Sequence, residues 1–589
     1  MSRLRPTTPR TSRAHVVILE NLVGSMDAGD SEHPGVVINR FRLAGHLCDA
    51  TLRTTDGGVF LVHRLMMCTL SPFFAVLYTS SLARGTDVLL HGVSAHVLDK
   101  LIEFCYTHKV EINDNNVEEL LVAADMFLVE DLMQMCCAHL EEQLTISNCL
   151  GLLLHAEWFY YPSHKEKIMQ FVCEHFIEVI FQSEELMYMS YEFLYSLLSS
   201  DYLNVVDEST VLMAIIKWVE FNTEDRVRFA PHLFLCVRIG LCNPEPVEKV
   251  VSLHPWMAQF EDCRNALLRL TESQPWRWRP RAPNEVIFTV GGWAETRATS
   301  VMEIYDNRAD RWHICVDDDI APRAYHGLVV LKGLVYMIGG FDGELCFNTV
   351  QCYDPQKHVW EERSCMNMPR CYVSAAAVGG YIYAAGGFTG QTRTNSVEKY
   401  HPLMNQWYAV TAMHKRRSDA CACGFNGKLY VAGGFTGTRV LNSVEMYDPT
   451  IDTWVYIEPM LSSRSGFRLL QFADTIYAIG GFDGALRLCT VERYNRLMNQ
   501  WERAGCMRLG RSNFAAAVLE GSIYVMGGFN GTTTISDVER LDNETLTWIP
   551  STPLGISRSA FSACVLKNSA TCNRFAYCRI LEKLESISN

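Results

Sequence analysis

The chain has 589 residues, of which 48% are hydrophobic and 20% are charged, and its formal net charge is -14. At about 150 residues per domain this length predicts roughly three or four domains, and the composition excludes a long disordered or collagen-like chain. The negative charge argues against bulk-charge binding to nucleic acid or to a membrane surface. No apolar run of 18 residues is available to span a bilayer.

Residues 1–33 are expected to form a disordered tail. The first 19 residues carry four Arg and no acidic residue, which leaves an organelle-targeting segment open as an alternative. Twenty-two cysteines are scattered from Cys48 to Cys578 without a C-x-x-C motif. We therefore expect reduced thiols in a cytoplasmic protein, packed as small hydrophobes, with no metal or other cofactor.

Two domains with helical spacing precede the middle of the chain. Residues 34–145 combine two predicted strands, at 49–53 and 59–63, with helical runs, which indicates a small α/β domain. Residues 146–270 show helical spacing alone and predict an all-α domain. Asp114 and Asp207 are predicted to cap two of these helices. Residues 271–284, rich in Trp, Arg and Pro, are interpreted as a linker.

An internal repeat dominates the second half of the chain. Gly-Gly pairs recur at intervals of 47 or 48 residues, and they begin at Gly291, Gly339, Gly386, Gly433, Gly480 and Gly527. A Trp follows 21 residues after each first Gly. An Arg precedes five of the pairs by 16 residues, as Arg323, Arg370, Arg417, Arg464 and Arg511. Four short β-rich runs per repeat predict the blades of a propeller.

The ends of the array predict how the propeller closes. It begins at residue 285 without an Arg-led strand, and it ends with only such a strand, from Arg558 onward. If that last strand completes the first blade, residues 285–567 form a six-bladed all-β propeller with no exposed sheet edge, followed by a tail over 568–589.

A second periodic series accompanies the Arg series. Glu303, Glu398, Glu445, Glu492 and Glu539 recur once per repeat, with Gln351 as the exception. Because every blade shares these residues, we interpret them as structural pairs between strands, and we expect a substrate to be recognised by positions that vary between blades. No G-x-S-x-G, H-E-x-x-H or P-loop motif occurs, so a non-catalytic protein is predicted.

Three groups of motifs resemble known domains. Leu47-Cys48-Asp49, His63-Arg64 and Ser71-Pro72-Phe73-Phe74 are similar to a BTB (POZ) domain, and the segment from Asn148 to Tyr160 resembles the opening of a BACK domain. The Gly-Gly, Tyr and Trp repeats resemble Kelch repeats. Their order is that of the kelch-like family, which implies a homodimeric BTB domain that binds cullin-3 and a propeller that captures a protein substrate for ubiquitination.

The resemblance also implies site residues. The dimer contacts correspond to Val37, Ile38 and Phe41. The cullin-3 contacts correspond to Leu82, Phe159 and Tyr160, and Arg84 stands where many members carry Glu. The substrate contacts correspond to positions after each blade Arg and to one loop Arg, namely Tyr325, Tyr372, Asp419, Ser465, Arg487, Ser512, Asn513 and Ser559. Asp49 with His63 and Arg64 is interpreted as a buried or interface polar network.

Other functions stay open. The family resemblance also allows an actin-associated scaffold or a transcriptional cofactor without a ligase role, and some Kelch-type propellers are oxidases, although no metal or radical site is visible here. The order of the Arg-led motifs, from Arg323-Ala-Tyr-His to Arg558-Ser-Ala, resembles a subgroup associated with male germ cells and spermatogenesis.

Overall fold

The structure is a computed structural model that describes residues 34–79, 86–158, 162–238, 241, 253–254, 256–259, 280–315, 320–567 and 569–576. The chain divides into two compact units, one up to Phe171 and the other from Val172 onward. Among the residues that the structure describes, no helix has the length and apolar character needed to cross a membrane.

The first unit is built from helices around a small sheet. Its helices are α1 Pro34–Leu43, α2 Arg64–Leu70, α3 Pro72–Thr79, α4 Ala95–Thr107, α5 Val117–Met126, α6 Glu130–Glu142 and α7 Cys149–Trp158, and α8 Pro162–Glu174 begins in it. Its strands are β1 Ala50–Thr54, β2 Val59–Val62 and β3 Asp87–Leu90. Strand β2 pairs antiparallel to β1, and β3 pairs parallel to it on the other side. The third strand was not predicted, because its four residues show no clear alternation.

Helix α4 forms the centre of this unit. Ser94 caps it by accepting a hydrogen bond from the Val97 amide, and the chain leaves it at His108 with a left-handed φ of 53°. The side chains of Leu98 and Leu101 are fully buried in the core of this unit. The apolar spacing of the sequence therefore gives the helix a face that the other elements cover.

The two predicted helix caps have different outcomes. The prediction for Asp114 is wrong: its carboxylate accepts hydrogen bonds from His139 and Gln143, while α5 follows Asn116. The carboxylate of Asp207 does accept the Ser209 amide at 2.9 Å, at the start of the helix Ser209–Phe221. A short acidic side chain before a helix can thus serve a tertiary contact instead of the cap.

The second unit begins with helices. They are α9 Phe176–Gln182, α10 Tyr191–Ser199, α11 Ser209–Phe221, α12 Thr223–Arg226, α13 Ala230–Phe234 and α14 Trp256–Gln259, with 3-10 turns at Glu185–Tyr188 and Val227–Phe229. Arg281 is buried at the entry to the propeller, where it pairs with Glu208 at 2.5 Å and donates to the carbonyl oxygens of Leu198 and Ser200. This ion pair ties the end of the predicted linker to the helices.

Six four-stranded antiparallel sheets follow, each strand pairing with the next. Blade one is completed by the last strand of the chain and contains β29 Ser562–Lys567, β4 Glu285–Val290, β7 Met302–Asp306 and β8 Arg311–Cys315, with a small ribbon of β5 Trp293–Ala294 and β6 Arg297–Ala298. Blade two contains β9 Gly327–Leu331, β10 Leu334–Ile338, β11 Val350–Asp354 and β12 Val359–Arg363. Blade three contains β13 Ser374–Val378, β14 Tyr381–Ala385, β15 Val397–His401 and β16 Gln406–Val410.

The remaining blades repeat this order. Blade four contains β17 Cys421–Phe425, β18 Lys428–Ala432, β19 Val444–Asp448 and β20 Thr453–Ile457. Blade five contains β21 Arg468–Phe472, β22 Thr475–Ile479, β23 Thr490–Asn495 and β24 Gln500–Cys506. Blade six contains β25 Ala515–Leu519, β26 Ser522–Met526, β27 Val538–Asp542 and β28 Thr547–Ser551.

The last strand joins the two ends of the array. Strand β29 pairs antiparallel with β4 from Ser562 opposite Val290 to Lys567 opposite Glu285. The prediction of a six-bladed propeller is confirmed. After residue 567 the predicted tail begins with a helix, α15 Ser569–Phe575, which buries Cys572 against the strands of blade one.

The periodic Tyr and Trp fill the space between blades. Tyr305 and Trp312 lie opposite each other on β7 and β8 with ring centroids 5.0 Å apart, and four other blades repeat this pair. The indole N–H of Trp312 donates to the carbonyl oxygen of Thr552 in blade six. The rings thus supply both apolar burial and a hydrogen bond to the neighbouring blade.

Candidate functional site

The blade arginines are structural. In five blades a fully buried guanidinium donates to a buried Glu, with N–O distances of 2.5 to 2.9 Å in the pairs Arg370–Glu398, Arg417–Glu445, Arg464–Glu492, Arg511–Glu539 and Arg558–Glu303. Each Arg also donates to the carbonyl oxygen of the first Gly of its blade, as Arg370 does to Gly386 at 2.7 Å. Because these side chains are buried and paired with each other, the interpretation of both series as structural is confirmed.

The remaining blade Arg, Arg323 of blade two, lacks a Glu partner. Gln351 occupies the position where the other blades have Glu, and the hydrogen bonds of Arg323 go to the carbonyl oxygen of Gly339 and the hydroxyl of Thr349. Burial lowers the pKa of Arg323 to about 10, although the carboxylates of Asp342 and Glu362 act in the opposite direction. Its Nε and the Gln351 Oε1 are buried and have no hydrogen-bond partner in the structure. Blade two therefore differs from the other five described blades in lacking the Arg–Glu pair.

The glycine pairs bring the backbones of neighbouring blades together. Gly339 has a φ of 61°, and a Cβ there would lie 2.2 Å from the carbonyl oxygen of Arg370 in blade three. The next amide, of Gly340, donates to that same carbonyl at 2.9 Å. Only glycine allows both the left-handed backbone and this approach.

The residues directly after each Arg pair with the aromatic residues after the Gly pairs. Single antiparallel bridges join Ala324 to Phe341, Cys371 to Phe388, Ser418 to Phe435, Ser465 to Phe482, Ser512 to Phe529 and Ser559 to Trp293. Among the predicted substrate residues, Ser465, Ser512 and Ser559 are buried at these bridges. The hydroxyl of Ser465 donates to the carbonyl oxygen of Phe482 at 3.4 Å.

The second residues after each Arg form a closed ring around the propeller axis. Each backbone N–H donates to the carbonyl oxygen of the equivalent residue in a neighbouring blade, at 2.6 to 3.1 Å, around the cycle Tyr325, Ala560, Asn513, Gly466, Asp419 and Tyr372. All six have a left-handed φ, between 51° and 57°. Five of them are not glycine, so the ring holds a backbone conformation that these residues otherwise adopt rarely.

The ring surrounds a cavity of about 40 Å³. The rings of Tyr325 and Tyr372 lie 4.0 Å apart at their centroids, and both tyrosines are half-buried. Asp419 follows them, and burial raises the pKa of its carboxyl to about 6, although Arg468 and Arg393 act in the opposite direction. The structure thus brings Tyr325, Tyr372, Asp419 and Asn513 together at one constriction.

Two arginines lie outside the ring, each stacked between aromatic rings. The Arg487 guanidinium carbon is 4.3 Å from the Phe482 centroid and 5.0 Å from that of Phe529, and its Nε is buried without a hydrogen-bond partner. Arg393 stacks in the same way on Phe388 and Phe435, and its Nε donates to Ser418 at 3.0 Å. Stacking fixes both guanidinium planes before any ligand arrives.

Arg393 was missed by the sequence analysis. It lies five residues after Phe388, and Arg487 lies five residues after Phe482. The same offset gives Cys346, Val440 and Thr534 in other blades. The shared spacing could therefore have identified Arg393 as the equivalent of Arg487, and the structure shows that both stack between the aromatic rings of two blades.

The predicted contacts of the first unit are only partly described. Val37, Ile38 and Phe41 are half-buried on α1, and Ile38 packs against the core. Leu82, Arg84, Phe159 and Tyr160 lie outside the described residues. Arg64 does donate to Asp49 through its backbone and side chain, at 2.8 and 3.0 Å. Both side chains are nearly half exposed, so the contact is not buried within the single chain, and a place at an interface stays a prediction.

No group of three or more His, Cys, Asp and Glu side chains able to hold a metal ion occurs in the described part of the chain.

Comparison with known proteins agrees with this architecture. A BTB/POZ domain model matches residues 38–144, a BACK (BTB And C-terminal Kelch) model matches 149–252, and a Kelch motif model matches 322–367, 369–414, 416–461, 463–508 and 510–555. Blade one, whose strands come from both ends of the array, lies outside the Kelch motif matches.

A similar relative is Kelch-like ECH-associated protein 1B from Danio rerio. It is 33% identical over 377 residues, which cover 62% of this chain and 63% of the relative. The three domains in this order, together with the propeller built from them, show that the chain belongs to the kelch-like family of BTB–BACK–Kelch proteins.

Proposed function

We propose that the protein is the substrate-recognition adaptor of a cullin-3 RING ubiquitin ligase. The observation that carries the proposal is a propeller face with uneven chemistry, formed by Tyr325, Tyr372, Arg393 and Arg487, in a chain with BTB and BACK domains. The adaptor itself performs no chemistry. It holds a substrate beside a cullin-bound ubiquitin-conjugating enzyme, which raises the effective concentration of the target lysine.

The side chains on the face suggest the class of substrate. Arg393 and Arg487 present stacked guanidiniums that suit a carboxylate-bearing segment, because Arg recognises carboxylates through two parallel hydrogen bonds. A pocket of about 740 Å³ beside Tyr372, walled by Phe341 and Phe388, has room for an apolar side chain. We propose an acidic segment with one apolar anchor.

The partner contacts are assigned to the first two domains. Val37, Ile38 and Phe41 are proposed to pack across a homodimer axis, since half-buried apolar side chains on the first described helix need a cover. Leu82, Phe159 and Tyr160 are proposed to meet cullin-3, and Arg84 in place of Glu weakens that contact. The complex is placed in the cytoplasm, where structural disulfides are rare.

A tissue is also proposed. The order of the Arg-led motifs resembles kelch-like protein 10, and on that resemblance we place the protein in male germ cells. Comparison of transcript and protein abundance between germ cells and somatic tissue tests this. Equal abundance in both would reject it.

Reconstitution with purified proteins tests the ligase role. The full chain should bind cullin-3, and light scattering should give the mass of an assembly that contains two copies of the chain. The Arg84→Glu variant should bind cullin-3 more tightly than the wild type. A wild-type chain that folds and captures proteins but does not bind cullin-3 would exclude the adaptor. That result would favour the alternative of a scaffold or transcriptional cofactor.

A further inference from the structure

Two cysteines meet in the wall of the pocket beside Tyr372. The Sγ atoms of Cys346 and Cys371 lie 3.1 Å apart, although the residues are separated by 25 positions in the sequence. Both line the cavity of about 740 Å³. Neither belongs to the Arg–Glu pairs or to the ring.

The backbone fixes this contact from both sides. Cys346 bridges to Phe341 within blade two, and Cys371 bridges to Phe388 in blade three. The Arg370 amide donates to the carbonyl oxygen of Phe347 at 3.0 Å, which holds the two segments together. Bringing the two sulfurs into a bond therefore requires little backbone movement.

The same relation recurs in the next pair of blades. There Arg393 occupies the position of Cys346 and donates to Ser418, which occupies the position of Cys371. The residue five after the blade aromatic thus reaches the residue after the next Arg as a consequence of the fold. In blades two and three both positions happen to carry thiols.

The two thiols differ in access. Cys346 is half-buried, whereas Cys371 is 1% exposed. Burial and the neighbouring Cys346 thiol raise the pKa of Cys371. A reagent from solution therefore meets Cys346 first, and Cys371 is placed to react with whatever forms there.

We propose that Cys346 and Cys371 are a modification site, a dithiol that a low-molecular-weight disulfide such as oxidised glutathione converts into an intramolecular disulfide. The Cys346 thiolate attacks one sulfur of the reagent and releases one small thiol. Cys371 Sγ then attacks Cys346 Sγ in the mixed disulfide and releases the second. The protein loses two protons and two electrons, and the reagent is reduced to two thiols.

The disulfide would change the pocket that it lines. It would bind the segment 341–347 covalently to the start of blade three, next to Tyr372. An effect on substrate capture rests on the proposed function, but the formation of the bond does not.

Mass spectrometry of the full chain tests the proposal. The background variant carries Cys489→Ser and Cys506→Ser, because these two thiols are also neighbours. After incubation with oxidised glutathione and blocking of free thiols, we expect a linked peptide pair joining Cys346 to Cys371 that dithiothreitol separates. In Cys371→Ser, Cys346 should remain as the glutathione adduct, and in Cys346→Ser, Cys371 should remain a free thiol.

A trivalent arsenical gives a second measurement that needs no oxidation. Phenylarsine oxide bridges two adjacent thiols with release of one water, so the background variant should gain one arsenical at these residues and both single variants should lose it. A stable glutathione adduct on Cys346 in the background variant, or oxidation of the exposed Cys365 without linkage and without a bridged arsenical, would overturn the proposal. None of these readouts depends on a substrate.

Discussion

Arg558 donates to Glu303 at 2.7 Å, and both side chains are fully buried. The last Arg-led segment of the array is thereby joined to strand β7 of blade one. The other Glu303 carboxylate oxygen accepts the amide of Gly555 at 2.7 Å. The contact joins residues 255 positions apart. It is the long-range counterpart of the pairs that the other blades form locally.

Breaking this pair should destabilise the propeller strongly. Arg558→Ala leaves a buried carboxylate without its cation, at a cost of about 3–5 kcal/mol in the free energy of unfolding. Arg493→Ala is the matched control, because Arg493 pairs with Glu502 at 3.1 Å with both side chains well exposed, and it should cost about 0–1 kcal/mol. Denaturant unfolding followed by tryptophan fluorescence measures both. Equal small losses would show that the buried pair is not needed for closure.

Blade two should accept a sixth ion pair. Gln351→Glu places a carboxylate at the position where the other blades pair Glu with the blade Arg, so we expect the free energy of unfolding at pH 7 to rise by about 1–2 kcal/mol. The gain should disappear as acid protonates the new carboxylate. Glu398→Gln, in the blade with the intact pair, is the reverse control and should destabilise. Destabilisation by Gln351→Glu would contradict the expectation.

Asp419 should make stability fall with rising pH. Its pKa in the folded state, about 6, lies above the ordinary value of 3.8, so the folded state prefers the protonated carboxyl. Its contribution is present below pH 3.8 and is lost as pH rises through 6. Asp419→Asn should therefore be more stable than wild type at pH 7.5 by roughly 2 kcal/mol, with a smaller difference at pH 4.

The left-handed backbone tolerates that change, since Asn513 holds the equivalent ring position with a φ of 51°. Thermal unfolding of both proteins across the pH range provides the measurement. A difference that does not depend on pH would show that the carboxyl is ionised without penalty.

The two ring tyrosines should be needed for capture and not for folding. Tyr325→Ala with Tyr372→Ala removes the paired rings, while Ala560 already occupies the equivalent position with a φ of 56°. We expect substrate capture to be lost, with cullin-3 binding and the melting temperature of the propeller near wild type. Affinity capture and calorimetry of the same preparations measure this. Unchanged capture would move the site to the outer loops.

The two stacked arginines, Arg393 and Arg487, should contribute to substrate capture. Arg393→Ala and Arg487→Ala should each weaken capture by about 1–3 kcal/mol, because a charge-assisted contact to an acidic segment is lost. Arg493→Ala, on the outer strand β23, is the matched control for the loss of one positive charge. If all three variants weaken capture alike, the effect is one of net charge, and the assignment of the two arginines is wrong.

The sequence alone determined the six-bladed propeller and the roles of its periodic residues. Residues that recur every 47 positions meet the same surroundings in every blade, so the Arg, Glu, Gly-Gly and Trp series could be interpreted without coordinates. The missing Arg-led strand before residue 285 likewise predicted that β29 completes blade one. Helical spacing placed the helical domains, but the short strand β3 has no comparable pattern and was missed.

Only the tertiary structure decided which side chains meet across blades. The contact between Cys346 and Cys371, the stacking of Arg393, and the hydrogen-bond ring through Tyr325 and Asp419 join positions that are unrelated in local sequence. The left-handed φ of the ring residues is invisible in their identities, since Tyr and Ala rarely adopt it unless the surroundings impose it. The pKa of Asp419 also depends on the tertiary structure. The sequence shows that a carboxyl is present, but the burial that raises its pKa comes from the packing of the blades.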